Sequence, residues 1–567
     1  MVFAIIIAYQ PVWHAGFISD DDIHLTINPC IIGPVGFKGI GTSGAAVYYP
    51  LVLTSFWMQH VLWGLHPLPY HLVNVVMHAA CAILLWRVLL CLQVRGAWLG
   101  AALWALHPVQ VESAAWITEL KNTQWCLFYL LAIFFFLKWR AVGVFANRKG
   151  SEWYYALALL CALLAILSKA STVMLPVVLG LCWWWMDGRW RWRNSFRLVP
   201  FLLISTAASG WTIWEQKFHS GAMGPEWAQT WPERLVISGK DIWFYLGKLP
   251  WPHPLIFIYP RWAIDALHPA AYLPVAAIVV TLFLLWQNRR RRMWPVFFAF
   301  AYFLVSLLPA LDFFNVYFFR YSFVGDHFQY LASIGPLAMA AAGITTAFGF
   351  LREKYLFLKP AFCGALLLTL GVLTWRQCAM YRDVETLWQT TIRLNPRSFL
   401  AHNNLGVILL QQGKAGERIV QCQEALQIKP DYAEAHNNLG NALLQKGNVA
   451  EAIVHYQKAL RIKPGYLEVQ NILAWVLATA PQASLRNGNQ AVELAQQANQ
   501  LAGGENPFIL HTLAAAYAEA GRFGDAQRSG QKAMELARAA GQSDLVEQIN
   551  GELRLYAAGL PFHQESK

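Results

Sequence analysis

The carboxylates and cations of this chain are few, and several stand where an apolar sequence gives them little cover. Phe17-Ile18-Ser19-Asp20-Asp21-Asp22 closes an apolar opening segment, and Asn28-Pro29 follow. Three consecutive acids at the end of a membrane span are costly unless solvated or paired. They read either as a solvated helix end or as a surface carboxylate that takes a proton from an acceptor hydroxyl. Metal binding is a third reading, but no His/Asp/Glu pattern completes a site, so no metal is expected and a divalent-cation requirement stays open. Glu112, in His107-Pro108-Val109-Gln110-Val111-Glu112-Ser113, falls in the outer part of an apolar stretch. An acid at that depth needs a partner or water. Glu119 and Lys121 form either a solvated turn or part of the same site. Lys169, in a very short turn, either snorkels or pairs with an anionic headgroup. Lys240, Asp241 and Lys248 lie on an amphipathic stretch, and Asp312, Arg320, Tyr321, Asp326 and His327 lie in a later loop. The planar guanidinium of Arg320 suits bidentate phosphate binding. His327 reads first as a structural hydrogen bonder and second as a catalyst.

The elements that hold these groups are membrane helices. Hydrophobic residues make up 57% of the 567 residues and charged ones 13%, against roughly 45–50% and 25% in soluble domains. The charges are dense after about Asn395 and sparse before it, so a membrane part precedes a soluble part. The 27 tryptophans fit indole rings at membrane interfaces. A net charge of +12 does not indicate nucleic acid, because the Arg and Lys clusters sit between apolar runs. The nine cysteines have no ligand or disulfide spacing; Cys81, Cys91, Cys126, Cys161, Cys182 and Cys363 read as buried thiols.

At about 20 apolar residues per span, roughly eleven spans are expected: 2–18, 70–92, 97–117, 123–140, 153–168, 172–186, 196–214, 270–286, 293–310, 330–350 and 357–376. The first contains Gln10 and His14 and is followed by no A-x-A site, so it is not a clean signal peptide. One set of loops is basic: Arg87 and Arg95; Lys138, Arg140, Arg148 and Lys149; Arg189, Arg191, Arg193 and Arg197; Arg289–Arg292; Arg352, Lys354 and Lys359. Positive-inside bias puts that set, with the N-terminus, in the cytoplasm and the segment after Trp375 outside. The outer loops are 19–69, 215–269 and 311–329. The first two carry amphipathic stretches, Tyr49–Leu65 and Glu233–Leu249, suited to the interface plane.

Pro396, Pro430 and Pro464 recur every 34 residues, the tetratricopeptide period. AHNNLG occurs at Ala401–Gly406 and Ala435–Gly440, and LQIKP and LRIKP end successive units. Two weaker units cover 465–504 and 505–541. The expected fold is therefore all-α: a polytopic bundle over 1–380, a repeat solenoid over 381–545 and a tail over 546–567. The repeats read as a peptide- or protein-binding surface, or as an intramolecular docking surface or spacer.

All the singled-out groups fall on one, outer side. A channel or pump would place ionisable groups near the midplane; an outer cluster suits a lipid-linked substrate whose phosphate lies at the interface. Here the chain resembles the transmembrane-and-tetratricopeptide (TMTC-type) proteins and their bacterial relatives, of the GT-C class of glycosyltransferases. The resemblance runs through Phe17–Asp22; Tyr48-Tyr49-Pro50-Leu51; Trp63–Pro67; His71-Leu72-Val73-Asn74 with His78; Leu106–Ser113; Glu119–Asn122; Ser168-Lys169 with Leu175-Pro176; Tyr245–Lys248 with Trp251-Pro252 and Tyr259-Pro260; Asp326–Leu331; and the repeats. Asn122 stands where the family commonly has Asp, so no essential acid role falls on it.

The resemblance implies an inverting, O-linked transfer of a sugar, mannose in animal relatives, from a polyprenyl-phosphate donor to a protein or glycan hydroxyl outside the cytoplasm, in a bacterial inner membrane. It implies Asp20 or Asp21 as base, Asp21 slightly preferred, with Glu112 as a second catalytic carboxylate. Lys169, Arg320, Lys121 and Lys240 would bind the donor phosphate, with Asp22, Glu119, Asp326 and His327 in support, and the repeats would bind the acceptor. A membrane-anchored scaffold and a lipid-linked-sugar transporter are the alternatives.

Overall fold

The computed structural model describes residues 1–33, 35–41, 49–145, 152–190, 195–218, 224–289, 293–351, 355 and 357–565. Tyr48, Arg148, Lys149, Arg191, Arg193, Arg290, Arg291, Arg292, Arg352 and Lys354 lie outside them. Among the described residues 77% are helical and none is in a strand. It divides into two compact units, Met1–Asn395 and Pro396–Lys567.

In the first unit, six helical stretches are long and apolar enough to cross a membrane: Pro67–Cys91, Ile117–Val142, Ala170–Asp187, Phe196–Phe218, Pro269–Gln287 and Leu358–Tyr381. Glu152–Ser168, Trp294–Ala310 and Ile334–Phe348 are shorter apolar helices. Two expected spans are not single helices. The segment 2–18 is a helix at Val2–Ala8 and a 3-10 turn at Gln10–His14. The segment 97–117 is a nine-residue helix, Ala97–Ala105, followed by short pieces at Pro108–Gln110, Val111–Ala115 and Ile117–Glu119. Pro108 causes the break: it has no N–H to donate, and it drives His107 into an extended conformation, ψ 129°. Glu112 therefore sits in one of these short pieces, Val111–Ala115, of a folded-back segment rather than in a continuous helix. At its other end the Ala97–Ala105 helix starts from Gly96, at φ +69°, where a Cβ would lie 2.9 Å from the Ala341 carbonyl oxygen. Only glycine combines that conformation with that approach.

The two amphipathic stretches of the outer loops are helices, Pro50–Trp63 and Trp231–Lys248. The second opens with a capping box: Glu233 accepts from the Thr230 backbone N–H at 2.7 Å, as expected where Thr precedes Glu by three. The helix Val384–Leu394 closes this unit, with Trp388 buried edge-on to Phe257 and Asn395 Nδ2 donating to the Ile258 carbonyl at 3.0 Å. All nine cysteines are free thiols, seven of them buried.

The second unit is a run of paired helices from Phe399–Gln411 to Phe523–Ala539. The repeat period is built into the turns. His402, His436 and Gln470 each donate to the carbonyl of the proline six residues earlier, at 2.9, 3.1 and 2.8 Å. Pairs of helices approach closely at Gly440, where a Cβ would meet the Tyr456 ring at 2.7 Å. The segment read as a tail instead continues as the helix Ser543–Ala557. Leu545, Ile549, Glu552 and Tyr556 are its buried face, at helical spacing, and the Gln564 N–H returns to the Thr479 carbonyl at 2.8 Å.

Candidate active site

The break at Pro108 frees backbone carbonyls, which must be paired if buried. One face of the Pro67–Cys91 helix supplies the donors. His71 Nδ1 donates to the Ala115 carbonyl at 2.9 Å, Asn74 Nδ2 to Trp116 at 2.9 Å, and His78 Nε2 to Ala105 at 2.9 Å. His78 Nδ1 then accepts from the Tyr330 hydroxyl at 2.7 Å. Residues 71, 74 and 78 share a helix face by spacing, which accounts for that polar motif in an apolar helix. His107 donates to the Leu249 carbonyl at 2.9 Å and Thr374 to Leu106 at 2.8 Å. The folded-back segment is thus fixed from several helices.

On this frame the three first-loop acids separate. Asp21 is fully buried. One of its oxygens accepts from the Ile18 N–H at 2.8 Å; the other accepts from the Thr118 N–H at 2.8 Å and from the Thr118 hydroxyl. Burial outweighs these three donors and pushes its carboxyl up to about 7. Asp20 is exposed, and Asp22 is exposed and accepts from the Thr26 hydroxyl at 2.7 Å. Half-buried His24 feels Lys121, Asp20 and Glu119; burial first, then Lys121, holds its imidazole down to about 4.

Glu119 pairs with Lys121 at 2.7 Å and also accepts from the Asn122 amide. Lys121 sits over the rings of Tyr49 and Trp116. Asn122 Nδ2 also reaches Ser113 Oγ at 3.0 Å, and Asn122 Oδ1 accepts from Lys169 Nζ at 2.5 Å. Lys169 is buried between the rings of Trp125 and Phe328, and desolvation in its turn holds the ammonium down to about 8.

Glu112 is engaged by His327 through both the backbone N–H, 3.0 Å, and Nδ1, 2.9 Å. Beside them Asp326 accepts from the Tyr259 hydroxyl at 3.1 Å to each oxygen. Burial and then the Glu112 charge push the Asp326 carboxyl well above its usual range, and Lys248 opposes them. Asn122 lies 3.4 Å from the His327 carbonyl, linking this group to the Lys169 group.

The structure thus brings together Asp20, Asp21, Glu112, Glu119, Lys121, Lys169, Asp326 and His327. Arg320 pairs with Glu226 at 2.8 Å and stacks near Trp227, Tyr317 and Tyr321. Lys240 lies over the Trp262 ring. Thr118, Ser113 and Tyr259 are parts of the site that sequence reasoning passed over. All three are neutral hydroxyls whose role comes from partners distant in sequence. The tetratricopeptide-repeat family models match residues 381–433 and 433–466.

Relatives lie in one direction. The Drosophila melanogaster protein O-mannosyl-transferase Tmtc1 is 28% identical over 31% of this chain and 21% of that protein. Mouse TMTC2, also a protein O-mannosyl-transferase, is 32% identical over 23% of this chain and 16% of its own length. Human TMTC1 is 23% identical over 67% of this chain and 48% of its own length. The chain is a relative of the TMTC-type proteins. It spans less than half the length of these curated relatives. Among solved structures, MamA aligns at 18% identity over 28% of this chain and 89% of MamA, with a TM-score of 0.25, too low to carry an argument. With its apolar helices and these relatives, this TMTC-type relative is a membrane protein.

Proposed function

We propose that the chain is a membrane glycosyltransferase that moves a sugar from a polyprenyl-phosphate donor to a hydroxyl of a protein or glycan acceptor on the extracytoplasmic face. One observation carries the reading: chain segments far apart in sequence converge on a group of buried carboxylates and two lysines, Lys121 and Lys169, and the exposed Asp20 stands next to Asp21, whose partner Thr118 adjoins Glu119. The names of the TMTC relatives supply the class of reaction.

Asp20 takes the proton of the acceptor hydroxyl as the hydroxyl oxygen bonds to the anomeric carbon. The bond from that carbon to the phosphate oxygen breaks, its electron pair leaves with the polyprenyl phosphate, and the anomeric centre inverts. Asp21, fully buried and holding three donors from Ile18 and Thr118, fixes the loop that carries Asp20. Lys169 and Lys121 face the charge that develops on the leaving phosphate, where an aimed cation is typically worth a few kcal/mol. Glu112, held by His327, is the second carboxylate and orients the acceptor. Arg320 and Lys240 would act on a more distant part of the donor. The repeats bind the acceptor outside the cytoplasm, the N-terminus is cytoplasmic and the membrane is a bacterial inner membrane.

The reading is tested in membranes with and without this chain, given a polyprenyl-phosphate sugar labelled in the sugar and a panel of hydroxyl-bearing extracytoplasmic proteins. Label should enter protein or glycan only where the chain is present. Equal labelling in both membranes would exclude the reading.

A further inference from the structure

Lys169 is a buried ammonium whose hydrogen-bond partner among the described residues is a neutral amide oxygen, Asn122 Oδ1, at 2.5 Å. A buried cation is ordinarily matched by a carboxylate, because an uncompensated charge in a dry site is costly. Of the two carboxylates in range, Glu119 is already committed to Lys121 at 2.7 Å and to the Asn122 amide, and Glu112 to His327 at 2.9 and 3.0 Å. Asn122 is thus inserted between an acid and a base. It donates to Glu119 and Ser113 through Nδ2 and accepts from Lys169 through Oδ1. Glu119 is acceptor-only when ionised and Lys169 donor-only, so a bridging residue must carry both functions. An aspartate here would set a second carboxylate against Glu119 and neutralise Lys169. The Trp125 and Phe328 faces stabilise the ammonium without cancelling its charge.

We infer that Asn122 is a positioning residue that keeps the Lys169 ammonium fixed and un-neutralised as the subsite for a phosphate monoester anion. This deepens the proposed function and rests on it for the identity of the lipid, while the binding of the anion can be measured without any transfer. One lysine N–H is spent on Asn122 Oδ1, and the remaining two are available to phosphate oxygens. An aspartate in its place would form a tighter internal ion pair and a weaker anion site.

The test uses the full-length chain in detergent, with a short-chain polyprenyl phosphate, the matching polyprenol and inorganic phosphate as probes. Folding of each variant is checked by its thermal unfolding midpoint, and binding is expressed per folded protein. The wild type should bind polyprenyl phosphate at least tenfold more tightly than polyprenol, and N122D and K169A should each weaken that binding at least tenfold. N122D in a K169A background should add less than threefold, because both act on one interaction. N122A removes the same contacts without adding charge and should weaken binding less than N122D. Inorganic phosphate that competes at the same site, with the same response to N122D, identifies a phosphate subsite; competition only by the lipid form identifies a lipid-phosphate subsite. Unchanged binding in N122D, equal losses in N122A and N122D, or full additivity with K169A would overturn the inference. Binding that follows this pattern with no sugar transfer in membranes would leave the inference standing and remove the proposed function. Transfer that persists with binding insensitive to N122D would do the reverse.

Discussion

Glu112 and His327 are joined twice: the His327 backbone N–H donates to one carboxylate oxygen at 3.0 Å and its Nδ1 to the other at 2.9 Å. A carboxylate held by a backbone donor and a side chain of the same residue has little freedom to rotate. Glu112 is therefore a pre-oriented acid in a folded-back segment. E112Q removes the charge and sets an NH2 group against one of the His327 donors. General acid–base and orienting groups typically contribute about 10²–10⁴-fold, so E112Q is expected to cut transfer by roughly a hundredfold or more. Expression and membrane insertion, followed by immunoblot, should be unchanged. H327A, which keeps the backbone donor, should cost less than E112Q. Equal or reversed losses in the transfer assay would show that the side chain, rather than the Glu112 charge, matters.

The capping face of the Pro67–Cys91 helix carries a stability prediction. Asn74 Nδ2 serves the carbonyls of Trp116 and Ile117 at 2.9 and 3.2 Å, and both residues are buried. Leaving buried carbonyls unpaired costs about 1–3 kcal/mol. N74A should therefore lower the unfolding midpoint of the detergent-solubilised chain, and N74L should not rescue it, because the missing element is a donor rather than volume. A midpoint equal to wild type would mean that the folded-back segment does not depend on this face.

Asp21 gives a pH prediction with a definite sign. Its folded-state carboxyl is pushed up to about 7, chiefly by burial, whereas an unfolded aspartate titrates near 3.9. Between those values the folded state binds more protons than the unfolded one, so stability falls as pH rises through that window and levels off above about 7. D21N, neutral throughout, should remove that slope. Unfolding midpoints of wild type and D21N, measured from pH 4 to 8, should therefore diverge in favour of D21N toward pH 7. Parallel curves would show that Asp21 is not protonated on folding.

Within the repeats, Gly440 faces the Tyr456 ring, with 2.7 Å available to a Cβ. Overpacking typically costs about 1–3 kcal/mol, so G440V should lower the unfolding midpoint assigned to the repeats by a few degrees. The same argument does not extend to Gly413, which has nothing within 4 Å of a built Cβ and φ +74°; G413A is costly through backbone strain instead. Circular dichroism melts of the two variants check both statements, and an unshifted G440V melt would contradict the close packing.

How much of this was legible in the sequence depends on the range of the interaction. The repeat prolines were legible because their carbonyls are capped by the residue six positions later, 402, 436 and 470, so the device recurs at a fixed period. The long apolar helices were legible because composition over about 20 residues decides them. The break at Pro108 was missed because a hydropathy window averages over side chains and does not register one missing N–H. The different surroundings of Asp20 and Asp21 were not legible at all. Adjacent aspartates look alike until Thr118, 97 residues away, buries one and leaves the other exposed. The pairing of Arg320 with Glu226 was not legible either, because the two stand in different loops.

The central claim is that Asp20, exposed beside a buried group of acids and lysines, is the base for sugar transfer. The most direct measurement compares the rate of labelled-sugar transfer from polyprenyl phosphate in membranes carrying wild type, D20N or D21N at matched expression. The account predicts that D20N loses at least a hundredfold in rate with donor binding retained, and that D21N loses less at pH 7. Transfer by D20N at the wild-type rate would contradict it.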